Sequence, residues 1–137
     1  MGKRFLKFYL FLFILSGCAL FGFLLYSSIT RVDRSAIKIE VLNGCGERGL
    51  ARRITEYLRE EGFDVVEFGN ASEPYLKTVV IDRRSKEKKF AKIVADALGS
   101  PILLEDVDSS SIYDVVVILG KDHKRVLRIK ERRGFVF

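Results

Sequence analysis

Asn43-Gly44-Cys45-Gly46-Glu47-Arg48-Gly49 is the stretch in which this sequence most nearly assembles a ligand site. It runs from an alternating apolar segment into one with helical spacing. Glycines at such a junction let backbone N–H groups face an anion at the start of a helix. The spacing matches neither a Walker loop nor a GxGxxG dinucleotide fingerprint. Turn geometry and close helix–sheet packing are the better account of Gly44, Gly46 and Gly49, and Glu47 suits a helix entrance without any ligand. Cys45 and His123 are the only thiol–imidazole combination available outside the first thirty residues. No third group is positioned to orient them, and His123, within KDHKR, reads as a solvated surface residue.

The carboxylate groupings are equally spare. Glu60-Glu61 lies at the wrong end of a helix dipole. Glu105-Asp106-Asp108, beside Ser109–Ser111, lacks the spacing of a calcium loop and reads as a solvated loop. With two cysteines in the chain, a disulfide scaffold and a cysteine-only zinc site are excluded. No catalytic residue, metal or cofactor is expected. The cations that can meet an anionic partner are Arg83–Lys89 and, in the tail, Lys124, Arg125, Arg128, Lys130, Arg132 and Arg133. Attraction from such exposed charges is long-ranged and salt-sensitive.

Net charge is +6, but it is unevenly placed. Residues 1–30 carry +3 and residues 121–137 carry +5, which leaves −2 for 31–120. A nucleic-acid-binding domain more often carries its positive charge on the folded body, so no nucleic-acid partner is expected.

These residues have to be held by a small number of elements. Phe8–Thr30 holds no charged residue and follows Lys3, Arg4 and Lys7. At about 1.5 Å per residue its helix would span roughly 34 Å, enough for a bilayer core of about 30 Å. The basic cluster keeps the N-terminus in the cytoplasm and places the remainder outside. The apolar run exceeds the 7–15 residues of a signal-peptide core, which favours an uncleaved anchor. Leu15-Ser16-Gly17-Cys18 offers an alternative, a lipoprotein acylated at Cys18, although Ala19–Tyr26 stays apolar.

Beyond a polar linker at 31–36, strands are expected at 37–42, 63–68, 77–82, 102–104 and 113–119. One helix runs from Gly49 with Leu50, Ile54, Tyr57 or Leu58 and Glu61 on one face, closed by Gly62. A second is capped by Ser85 and presents Phe90, Ile93, Val94, Ala97 and Leu98. Strand 113–119 is nearly all apolar and belongs mid-sheet. Val126–Lys130 alternates and can add an edge strand. The order β-α-β-β-α-β-β gives an α+β fold: two layers of split-βαβ type, a mixed sheet with two helices on one face, and one transmembrane helix ahead of it.

VLNG at 41–44, GLA at 49–51, GF at 62–63, GNA at 69–71, TVV at 78–80 and DVVVILGKD at 114–122 together resemble the LytR C-terminal domain. That domain follows the catalytic domain of LytR-CpsA-Psr cell-envelope proteins and also stands alone behind a membrane anchor. The resemblance implies an extracytoplasmic bacterial envelope domain with no known reaction, since the family's phosphotransferase chemistry sits in a separate domain. Together with the charge-free run and the charge pattern, it divides the chain into a cytoplasmic start (1–7), an anchor (8–30), a linker (31–36), the domain (37–122) and a basic tail (123–137). The expected role is binding or scaffolding of cell-wall components. The expected partner is an envelope polymer or, alternatively, a membrane protein complex onto which the chain docks. The expected contacts are Asn43, Gly44, Gly46, Gly49 and the six tail cations.

Overall fold

The computed structural model describes residues 2–29, 32–99 and 101–128. It divides into two compact units, Met1–Val32 and Asp33–Phe137. The first is one helix, α1 (Gly2–Ile29), whose Gly2–Leu25 stretch has a mean hydropathy of 2.4 and no residue buried within the protein. Its length and composition suffice to cross a membrane.

The second unit contains β1 (Lys38–Asn43), α2 (Leu50–Glu60), β2 (Asp64–Asn70), β3 (Val79–Asp82), α3 (Lys89–Leu98), β4 (Ile102–Glu105), β5 (Val115–Leu119) and a single turn of helix, α4 (His123–Val126). The sheet order is β2-β1-β5-β3-β4. β1 is parallel to β2 and β5, β3 is parallel to β4, and β3 meets β5 antiparallel. Two β-α-β units thus join across β5. All five residues of β5 are buried, which is what its unbroken apolar run requires of a central strand.

Both long helices cover one face. Leu50, Ile54 and Leu58 from α2, and Ala91, Val94 and Leu98 from α3, pack over Ile39, Val41, Val65, Val80, Val115 and Val117. Each fully buried Leu, Ile or Val contributes about 1.5–3 kcal/mol. The Tyr57 hydroxyl donates to the carbonyl of Ala97 at 2.9 Å and ties the helices together. On the opposite face Tyr75 and Tyr113 pack around Val79, Val116 and Ile118.

Four sequence expectations shift. β2 continues through Gly69-Asn70 rather than stopping there, because Asn70 stays in register with Asn43. The α3 stripe is Ala91, Val94, Ala95 and Leu98, with Phe90, Ile93 and Ala97 only half-buried. Ser85 is not the principal cap. Its hydroxyl accepts from Lys89 N–H at 3.3 Å, while the fully buried Asp82 accepts from Phe90 and Ala91 N–H at 2.9 and 3.0 Å and from Ser85 and Arg84 N–H at 2.7 and 3.0 Å. Val126 closes α4, and Leu127 makes one antiparallel bridge to Gly99, so the tail adds no edge strand over the residues described. Arg34, in a 3-10 turn at Arg34–Ala36, bonds the Glu61 carbonyl and carboxylate and covers the Phe63 ring at 5.2 Å.

Candidate functional site

The Asn43–Gly49 loop leaves the carboxyl end of β1, beside the carboxyl end of β2. Its glycines serve distinct structural ends. Gly46 and Gly49 have φ of +79° and +76°, a left-handed backbone that side-chain-bearing residues rarely adopt. Gly44 is tightly enclosed. Its N–H donates to Leu119 O and its carbonyl accepts from Tyr75 N–H, both at 2.8 Å. A β-carbon there would sit 2.9 Å from the Tyr75 ring. Asn43 is buried and committed: its Nδ2 donates to Glu47 O at 2.7 Å, and its Oδ1 accepts from Cys45 N–H and Sγ at 3.2 and 3.3 Å. These residues therefore shape the loop, and their polar side-chain atoms are already engaged.

Two adjoining hollows open over this strand end. One, of about 300 Å³, lies between the Asn43–Gly46 backbone and the 70–74 loop. The other, of about 200 Å³, lies between the start of α2 and the end of β2 and is bounded by Arg52, Phe68 and Asn70. Asn43 and Asn70 line both. The 70–78 loop is fastened across the strand ends by Ala71 N–H to Asn43 O at 3.0 Å and Lys121 N–H to Tyr75 O at 3.1 Å. Thr78 N–H to Asp122 Oδ1 at 2.7 Å adds a third tie. Phe68 and Asn70, the latter beyond the strand expected at 63–68, become groove walls because β2 runs on to Asn70. Serine and glutamate at 72 and 73 join them only because the loop folds back over β1.

His123 corrects the expectation of a solvated residue. It is 5% exposed, with Nδ1 bonded to Gly120 O at 2.9 Å and Nε2 lying 3.0 Å from Glu47 Oε2 without an aligned hydrogen bond. Arg53 also bonds Glu47, and Lys124 Nζ lies 3.8 Å away. Partial burial opposes ionisation of Glu47, but the Arg53 hydrogen bond and the charges of His123, Lys124 and Arg53 outweigh it and hold the carboxyl below the usual glutamate range. Glu47 thus latches the loop to α2 and α4 instead of standing in the first turn of α2. Cys45 Sγ and His123 Nδ1 bond to different partners, Asn43 Oδ1 and Gly120 O.

The basic and acidic stretches cancel each other. Arg83 pairs with Asp106, Arg84 with Asp114 at 2.7 Å and Lys88 with Glu105 at 2.9 Å. The 105–114 loop is accordingly pinned over the start of α3, not freely solvated, and its carboxylates are taken. Among the described residues no group of three His, Cys, Asp or Glu is placed to hold a metal. Of the tail cations, Lys124, Arg125 and Arg128 are exposed, whereas Lys130, Arg132 and Arg133 lie outside the described residues.

Residues 36–123 match the family model described as LytR cell envelope-related transcriptional attenuator. The cell wall biosynthesis protein LcpA of Corynebacterium glutamicum is 33% identical over 87 residues, 64% of this chain. The match spans only 16% of LcpA. Among solved structures, the soluble domain of a conserved hypothetical secreted protein from Mycobacterium marinum superposes with a TM-score of 0.52 at 21% identity, covering 68% of this chain and 64% of that one. That likeness concerns the fold alone.

Proposed function

The chain belongs to the LytR C-terminal domain family, and from that premise we propose that it is a non-catalytic binding or scaffolding module of the bacterial cell envelope. Residues 8–30 anchor it by a single pass, residues 1–7 stay in the cytoplasm, and 31–36 link to an extracytoplasmic domain at 37–122 with its basic tail at 123–137. The observation that carries the reading is the succession, in one chain, of an apolar helix long enough to cross a bilayer and a domain matching this family from residue 36 onward. Support for a structural rather than catalytic use of the loop side chains comes from Asn43, which donates to Glu47 O and accepts from Cys45 N–H, and from Glu47, which pairs with Arg53. The ligand is a cell-wall-related polymer, met by the Asn43–Gly49 strand end and by the cationic tail.

A reporter fused after Phe137 should be active only outside the cytoplasm; cytoplasmic activity would end this topology. Mass spectrometry of the extracted protein should find an unacylated chain, and a mature chain beginning at acylated Cys18 would replace the anchor by a lipoprotein. Detergent-solubilised protein should co-sediment with isolated envelope polymer. Replacing Lys124, Arg125, Arg128, Lys130, Arg132 and Arg133 by Gln should weaken that association at low salt. The effect should shrink near physiological ionic strength, where charges are screened beyond about 8 Å.

A second reading, docking onto a membrane protein complex, draws on the β4 edge. Ile102 and Leu104 are 46% and 44% exposed there, beside the exposed Val107 and Ile112. Among the described residues the outer edge of β4 pairs with no other strand, and an apolar edge strand is a ready surface for another chain. Recovery of one envelope protein in detergent, with no polymer bound, would select it.

A further inference from the structure

From the lining of the two hollows we infer that they form one groove for an uncharged glycan chain, with Phe68 as a stacking platform and Asn70 as the central hydrogen-bonding residue. This deepens the binding reading and rests on it. Phe68 is 44% exposed although it lies in the same strand as the buried Val65. An aromatic ring left open beside polar groups offers a flat apolar surface to the C–H face of a pyranose, while its neighbours meet the hydroxyls. Asn70 borders both hollows, so its amide, both donor and acceptor, can reach a chain that crosses from one to the other. The exposed Ser72 adds a hydroxyl on the far side.

Charge selects among polymers. The lining carries one cation, Arg52, and one anion, Glu73, at opposite ends. Arg52 is itself paired with Glu56 at 3.1 Å. Among the described residues that line it, no cluster of guanidinium or ammonium groups faces the groove to neutralise a run of phosphates, as a polyanion site would need. The groove is a shallow open trough over a strand end, a shape that admits an extended chain in passing. The groove and the cationic tail would therefore read different features of an envelope polymer: sugar rings in one, charge in the other.

The test uses the full chain in detergent micelles, titrated with chitotetraose, cellotetraose and maltotetraose as neutral probes and with polyphosphate as the anionic one. Binding is read by calorimetry and by amide shifts of residues 68–73. At least one neutral probe should bind, shift those amides, and keep its affinity when salt is raised. Phe68→Ala and Asn70→Ala should each weaken it about tenfold or more, the scale of one lost aromatic or buried polar contact. Phe68→Leu, which keeps apolar bulk without a ring face, should lose nearly as much and guards against a folding defect. A neutral probe that binds with all three variants unchanged overturns the groove while leaving the binding reading. Salt-sensitive binding of polyphosphate alone does the same and favours the tail. If no probe binds, the glycan groove is overturned; failure of envelope-polymer co-sedimentation as well would remove the binding reading with it.

Discussion

Gly120→Ala should be among the most damaging single substitutions in the domain. Gly120 is buried where the chain leaves β5 and crosses the segment that enters β3. A β-carbon on it would lie 2.2, 2.5 and 2.7 Å from C, O and N of Lys77. Carbon atoms meet comfortably at about 3.5 Å or more, so two backbone segments would have to part by over about 1 Å. No flexible side chain is available to yield. Parting them stretches Gly120 N–H to Thr78 Oγ1 at 3.0 Å and Thr78 N–H to Asp122 Oδ1 at 2.7 Å. Each such bond is worth about 1 kcal/mol net, and overpacking itself costs about 1–3 kcal/mol. The expected loss is therefore roughly 3–5 kcal/mol. For a domain of this size each kcal/mol lowers Tm by about 4–8 °C, so the melt should fall by at least about 12 °C. The chain has five tyrosines and no tryptophan, so thermal unfolding can be followed by tyrosine fluorescence. Gly46→Ala is the internal control. Its φ of +79° makes a β-carbon strained, yet nothing lies within 4 Å, so only a conformational cost of about 1–2 kcal/mol applies. A Gly120→Ala variant that melts no lower than Gly46→Ala would refute the steric reasoning.

Asp82→Ala removes the acceptor for four backbone N–H groups, two in the first turn of α3 and two in the turn that precedes it, and should cost about 3 kcal/mol in urea unfolding; a cost below about 1 kcal/mol would deny Asp82 its capping role. Glu47→Gln should lower Tm most at neutral pH. Because the folded Glu47 pKa is depressed, its ion pairs stabilise above the reference value of 4.5 and are lost as pH falls through the folded value, so wild type and variant should converge in acid. A difference that persists unchanged at pH 3 would contradict this. The Tyr113 phenol is pushed up to about 12, chiefly by its hydrogen bond to Glu67, so it should titrate late in ultraviolet absorbance, and Glu67→Gln should bring it down towards 10.

Much of the fold was legible in the residues because its signals are local. The alternation at 37–42, the Leu50-Ile54-Leu58 spacing and the unbroken apolar run before Gly120 report how each segment meets the core, and the observed β1, α2 and β5 follow them. The hydrophobic length of α1 needs no neighbour to be read. The positions of Gly46 and Gly49, too, follow from backbone geometry, since both adopt positive φ. What tertiary structure decided is which side chains meet across long separations. Asp82, read as a strand end, caps α3 because β3 delivers its carboxylate beneath that helix. His123 stands in a charged run, yet it is buried because β5 and the turn after it carry the ring to Glu47, 76 positions earlier. The acidic 105–108 stretch and the basic 83–89 stretch each read as free charge, yet Arg83 meets Asp106 and Lys88 meets Glu105 once β3 and β4 lie side by side. Phe68 and Asn70 became groove walls through a register match with β1 that no local pattern encodes. Charge and periodicity are properties of a segment, whereas ion pairs, caps and clefts depend on distances between segments that only the packed sheet sets.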